Sequence, residues 1–182
     1  KPTAQLIGVP RAELTEPMAK VLQNLGIRRG MVVSGRVGEK RMDELSTLGE
    51  NTIAEFYQNR GFTTSTLNPS DLPLAKATLE DLAGGDADTN AHIIRSILSS
   101  EIKGPKREAV LLNAGAALFI ASKADSISTG RELAAEELEA AEDDVVYQNG
   151  FFHVKGTSIG VGLFDLASKQ SQKLISTETE KT

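Results

Sequence analysis

Gln5–Val33, QLIGVPRAELTEPMAKVLQNLGIRRGMVV, decides the architecture. Gln5 to Val9 is a short, mostly apolar run closed by Pro10, the pattern of a buried strand. Thr15 offers a side-chain oxygen as helix N-cap, and Glu16 and Pro17 suit a first turn. Met18, Val21, Leu22 and Leu25 follow the spacing of one apolar helix face, and Gly26 can close the helix in the left-handed region. Met31 to Val33 supplies a second short strand. Strand, helix and strand within about thirty residues predict a parallel crossover unit.

A polar segment, Ser34 to Asn51, leaves the C-terminal end of that second strand, with Gly35, Gly38 and Gly49 among its charged residues. In open α/β sheets this edge is where ligands usually bind. Thr52 to Tyr57 and Phe62 to Leu67 flank Gln58-Asn59-Arg60-Gly61 and read as a hairpin, and Asn68-Pro69-Ser70-Asp71 reads as a turn.

From Thr78 onward the pattern is helical. Thr78 with Asp81 resembles a capping box, Gly84-Gly85 breaks that helix, and Asp86 or Asp88 can cap the next. The predicted apolar face of the second of these carries Ala87, Ala91, Ile94, Ile97 and Leu98. Gly104-Pro105 starts a longer helix through Val110, Leu111, Ala114, Leu118 and Ala121, whose small residues Ala114 to Ala117 allow close packing against a neighbour. Ser128 is expected to cap a last amphipathic helix running to about Ala141. In the tail, Val145 to Tyr147 and Phe151 to Val154 flank Asn149-Gly150, a strong hairpin signal. Ser176 to Thr182 is polar enough to be disordered.

The 182 residues carry a net charge of −5, and 40% are apolar. That suffices for one core built mostly of Leu, Ile, Val and Ala. The charge has the wrong sign for neutralising a nucleic-acid backbone. Cys is absent, which excludes disulfides and thiolate metal sites and fits a reducing cytoplasm. No stretch approaches the roughly 20 apolar residues of a membrane span. Lys1 rather than Met opens the chain, with no signal segment after it, so the start reads as a boundary within a longer protein.

Several ordered motifs now resemble one family. Pro2-Thr3-Ala4-Gln5-Leu6-Ile7-Gly8-Val9, Leu25-Gly26, and Met42-Asp43-Glu44-Leu45-Ser46-Thr47-Leu48-Gly49 look like the second half of anthranilate phosphoribosyltransferases. So do Leu79 to Asp86, Asn90-Ala91, Lys103-Gly104-Pro105-Lys106-Arg107, Ala109 to Ala114, and Gly130 with Leu133-Ala134. Separately spaced over about 140 residues, these motifs are specific together where one alone is not. The resemblance implies transfer of phosphoribosyl from phosphoribosyl pyrophosphate to the amino group of anthranilate, in tryptophan biosynthesis. It implies an α/β fold, the C-terminal part of a phosphoribosyltransferase/nucleoside phosphorylase-like domain with parallel strands and packed helices. By it, residues 1–141 are that part of the domain, and 142–182 are an unassigned hairpin tail. The family is commonly dimerised through a small helical domain, uses magnesium on the pyrophosphate, and is cytoplasmic.

Asp43 and Glu44 are the candidate metal ligands. Magnesium prefers hard oxygen donors and is held through one or two carboxylates plus substrate phosphates. An Asp-Glu dipeptide alone reads as a solvated loop; the family motif around it reverses that reading, because the matching pair in the family holds the metal. Ser46 and Thr47 suit either orientation of the acids or turn capping. Gly84-Gly85-Asp86 resembles a phosphate loop only superficially, since Asp86 already occupies the positive end of the helix dipole. His92 and His153 stand far apart with no acid at ligand spacing, and Lys103, Lys106 and Arg107 read as a solvated face.

The family's Gly-Thr-Gly-Gly-Asp, Asn-x-Ser-Thr and Lys-His-Gly-Asn-Arg segments have no counterpart in the chain, nor do its anthranilate-contacting Arg and Asn. No catalytic residue is therefore assigned within it. Two alternatives stay open: a non-catalytic relative that binds a partner, and a pyrimidine-nucleoside phosphorylase of similar architecture. Because positioning and charge stabilisation at the sugar need the missing groups together, the 182 residues alone are expected not to turn over. Transferase activity from the purified chain would overturn that expectation.

Overall fold

A computed structural model describes residues 2–58, 61–140, 145–148, 151–154 and 160–162. It divides the chain into two compact units, Lys1–Leu138 and Glu139–Thr182. In the first, β1 (Ala4–Gly8) leads through a 3-10 turn, Ala12–Leu14, into α1 (Thr15–Asn24) and on to β2 (Arg29–Val37). β1 and β2 are parallel, with Ala4 opposite Arg29 and Gly8 opposite Val33. The crossover unit is present. Gly26 ends α1 with φ of 76°, a left-handed conformation that glycine adopts without a Cβ penalty.

The rest of the sheet is antiparallel. β3 (Lys40–Met42) and β4 (Asn51–Tyr57) both pair with β2, and β5 (Gly61–Leu67) pairs with β4 in the expected hairpin. The order is β1-β2-β4-β5, with β3 attached to the distal end of β2. Four helices come next: α2 (Leu79–Leu82), α3 (Ala87–Leu98), α4 (Pro105–Ile120) and α5 (Ile127–Ala140). In the second unit, β6 (Val145–Gln148), β7 (Phe151–Val154) and β8 (Gly160–Gly162) form an antiparallel sheet. The tail hairpin is thus found, while Ser176 to Thr182 lies outside the described residues.

Alternation along β2 divides the core. Val32 faces one side with Val9, Ala19, Leu22, Ala54 and Phe56, against α1. Met31 and Val33 face the other, with Leu45, Ile53, Leu112, Ala116 and Ile120. Burial on both faces explains why the central strand reads as an apolar run.

Four sequence expectations are corrected. Thr15 is not an N-cap acceptor; its hydroxyl donates back to the Ala12 carbonyl at 2.8 Å. The buried face of α1 is Thr15, Ala19 and Leu22, leaving Met18, Val21 and Leu25 exposed. The small Ala19, fully buried, sets the contact with the sheet, so packing rotated the helix away from its largest apolar residues. On α3, Ile97 is buried with Ser96, but Ile94 and Leu98 are exposed. Fourth, Ser126 rather than Ser128 caps α5, its hydroxyl accepting from the Thr129 amide at 3.0 Å.

Other local readings match the structure. Thr78 and Asp81 form a reciprocal capping box. Asp86 caps α3 by accepting from the Thr89 amide at 2.9 Å, and hydrogen bonding from the Thr89 side chain and then from its amide holds the Asp86 carboxyl below its ordinary pKa. Helices α4 and α5 touch where Gly115 meets Gly130. A Cβ on Gly130 would stand 2.4 Å from the Gly115 carbonyl oxygen. Arg131 then donates from Nε to Glu108 at 3.0 Å across the same contact.

The start of β2 has its own lock. The Arg29 guanidinium lies 4.5 Å from the Tyr57 ring centroid and 4.4 Å from that of Phe119. It donates to the Tyr57 hydroxyl at 2.6 Å and to Ser122 at 3.0 Å, with Glu55 at 3.4 Å. Burial, then the hydrogen bond and charge of Glu55, push the Tyr57 hydroxyl pKa up.

Phe56 is fully buried and sits against Gly30, where an added Cβ would be 2.3 Å from the ring. Phe56→Ala is expected to lower the unfolding free energy by about 3–5 kcal/mol in a urea titration, a loss of both transfer energy and packing.

Candidate metal-binding loop

The segment carrying Asp43 and Glu44 is shaped before those residues are reached. β2 continues past Val33 to Val37, turns at Gly38 with φ of 58°, and returns as β3. The sequence reading ends the second strand at Val33 and takes Ser34 to Asn51 as a polar segment leaving it; the strand in fact runs on to Val37. The first part of that segment is a short hairpin in which Gly35 opposes Met42 and Arg36 opposes Arg41. Arg41 ties the hairpin to the sheet, donating to the Ser34 carbonyl and the Thr52 hydroxyl, both at 3.0 Å. Charged side chains hid this strand, because only its partner β2 is buried.

The chain then passes over the C-terminal ends of the parallel pair. A Cβ on Gly8, the last residue of β1, would lie 1.4 Å from the Asp43 carbonyl oxygen. One on Gly35 would lie 2.5 Å from the Glu44 carbonyl oxygen and 2.6 Å from the Ser46 amide nitrogen. Backbone therefore rests on backbone, and glycine is required at both positions because no side chain fits between.

Two asparagines hold the backbone of Leu45 and Ser46. Asn113 of α4 accepts from the Leu45 amide at 2.9 Å and donates to the Leu45 carbonyl at 3.0 Å. Asn51, at the start of β4 and fully buried, does the same for Ser46, at 2.6 Å and 3.0 Å. The Leu45 side chain is buried in the α4-facing core. Ser46 behaves as a turn residue: its hydroxyl donates to the Arg36 carbonyl at 2.8 Å and accepts from the Leu48 amide at 3.0 Å. Neither asparagine stood out as a site residue from the sequence. The available signal for Asn113 was a polar residue inside an apolar, Ala-rich helix.

The acids themselves project from this fixed backbone and are exposed. Partial burial, and then the neighbouring Asp43 charge, raise the Glu44 carboxyl above its ordinary pKa. A carboxylate whose charge is disfavoured by a neighbouring carboxylate suits a cation beside it. Both acids are hard oxygen donors, as magnesium requires, and two alone leave the coordination sphere to water and substrate oxygens. Among the described residues no group of three or more His, Cys, Asp or Glu gathers as a metal cluster.

The other sequence candidates lie elsewhere. Asn90 grips Gly85 through both its amide and carbonyl, at 2.9 Å each, so Gly84-Gly85-Asp86 is a helix boundary. His92 is exposed on α3. Lys106 donates to the Asp81 carbonyl at 2.6 Å, and Arg107 is buried, so this basic cluster is not simply a solvated face. A depression of about 340 Å³, lined by Met31, Ile53, Leu67, Leu72, Phe119 and Ile127 among others, includes neither Asp43 nor Glu44. No described helix is long and apolar enough to cross a membrane.

A parallel crossover unit with a glycine-seated acidic loop at its strand ends is the arrangement of an α/β domain with a ligand-binding edge. The chain belongs to the glycosyl transferase family, matching its a/b domain over residues 1–142. It is 45% identical over 135 residues to the anthranilate phosphoribosyltransferase of Syntrophotalea carbinolica, covering 74% of this chain and 37% of that protein. To the same enzyme of Rubrobacter xylanophilus it is 42% identical over 136 residues, 75% of this chain and 39% of the relative. The chain thus spans about two fifths of the length of the curated relatives it matches. Its fold is similar to that of a Saccharomyces cerevisiae anthranilate phosphoribosyltransferase variant with Mg bound, at a TM-score of 0.66 and 23% identity, covering 77% of this chain and 40% of the other. A complex of the yeast enzyme with 4-fluoroanthranilate gives a TM-score of 0.67 at 23% identity.

Gly8→Ala is expected to displace the Asp43 carbonyl rather than be absorbed, since the opposing atom is backbone. The expected cost is about 2 kcal/mol or more in urea denaturation, with faster amide exchange at Leu45.

Proposed function

We propose that the chain is part of an anthranilate phosphoribosyltransferase, contributing the acidic loop that meets the pyrophosphate of phosphoribosyl pyrophosphate. The observation carrying this reading is the placement of Asp43 and Glu44. They lie on a backbone seated on Gly8 and Gly35 at the strand ends where α/β sheets bind ligands. The names borne by the relatives favour anthranilate as acceptor over a nucleoside, and over a purely binding role.

In the transfer, the bond from the sugar C1 to the pyrophosphate oxygen breaks and a bond from C1 to the anthranilate nitrogen forms, with one proton leaving that nitrogen. Asp43 and Glu44 would hold magnesium, which when bound supplies positive charge against the departing pyrophosphate. The chain's own work is preorganisation. Carboxylates carried on a backbone fixed before substrate arrives need less reorganisation as charge develops. The remaining contacts to sugar, pyrophosphate and anthranilate are assigned to other parts of a complete enzyme. That enzyme is proposed to be a cytoplasmic homodimer.

In the complete transferase, Asp43→Asn and Glu44→Gln are each expected to lower kcat/KM by roughly a hundredfold and to raise the magnesium concentration needed for half-maximal rate. An unchanged magnesium dependence in both variants would sink the assignment.

A further inference from the structure

We infer that Asn113 is a positioning residue for a divalent cation at Asp43 and Glu44, acting through the backbone of Leu45; the inference rests on the metal role proposed above. Leu45 and Ser46 are consecutive, and each has both its amide and its carbonyl taken by one asparagine side chain. Asn113 from α4 and Asn51 from β4 therefore hold the chain from two different elements immediately after Glu44.

The grip exceeds the needs of a connecting loop. Leu45 is already anchored by its buried side chain, and Asp43 by the seat over Gly8. Asn51 spends its amide hydrogens on the carbonyls of Ser46, Gly49 and Leu67, within 3.0 to 3.3 Å, so it also knits β4 to β5. Asn113 has a narrower task. Its remaining bond, to Ala109 at 3.0 Å, stays within its own helix. Among the described residues, the hydrogen bonds it makes outside α4 both go to Leu45, the residue next to Glu44. Partners of this kind, which orient a ligand without touching the metal, commonly contribute 10–100-fold to metal affinity.

The 182-residue chain can be titrated with Mn2+ while its amide NMR spectrum is followed, because the paramagnetic ion broadens only signals near its site. Broadening is expected first at Asp43, Glu44 and their neighbours. Asn113→Leu, which keeps the branched side-chain shape and removes both hydrogen bonds to Leu45, is expected to raise the half-broadening Mn2+ concentration at least tenfold. Signals of α1 and β4 should stay at their original positions. Asn113→Ser, which leaves one hydroxyl and room for water, is expected to show a smaller rise and serves as the variant if the leucine protein does not fold. Half-broadening at the parent concentration in a folded Asn113 variant would overturn the positioning role. Broadening that persists around the loop in Asp43→Asn/Glu44→Gln, or is absent from the parent, would instead overturn the metal reading and this inference with it.

Discussion

Everything at the candidate site depends on a contact between main chains. The Asp43 carbonyl lies where a side chain at Gly8 would have to be, and the Glu44 carbonyl and Ser46 amide do the same over Gly35. Such an approach is available only to glycine, and it places the acidic loop against two adjacent strand ends. Parallel pairing supplies the geometry, because it alone brings the C-terminal ends of β1 and β2 side by side. Once the loop is seated, Asn51 and Asn113 can reach it, and Leu45 can enter the core. Lifted by an ångström, none of these would be in range.

The two faces of β2 divide the work. The α1 face, with Ala19 and Leu22 over Val32 and Phe56, holds the crossover unit together. The α4 face carries Leu45 and Leu112 in one cluster, so the helix that buries the sheet also delivers Asn113 to the loop. Packing and site geometry are therefore coupled through a single helix.

Local signals were the legible ones. Apolar runs gave β1 and the middle of β2, the pair Thr78 and Asp81 gave a cap, and Asn149-Gly150 gave a hairpin whose strands are present. The acidic pair became a metal candidate only through the motif around it, because two carboxylates in a polar loop have no distinctive pattern of their own. The features that could not be read were set by tertiary contact. The buried side of α1 is centred on the small Ala19, not the larger Met18 or Val21. β3 is a strand because β2 offers it hydrogen bonds, despite its charged residues. Asn113 acts on Leu45 across 68 positions of sequence, and nothing near either residue announces the other.

The lock at Arg29 has a consequence for how the two ends of β2 respond to acid. At its start the Arg29 guanidinium is held over the Tyr57 and Phe119 rings, a contact made with ring faces rather than with a titrating carboxylate. At the opposite end, Glu44 takes up a proton more readily than an ordinary glutamate. One strand thus has an aromatic-clamped cation at its start and, resting against its far end, a loop whose Glu44 carboxyl is proton-sensitive.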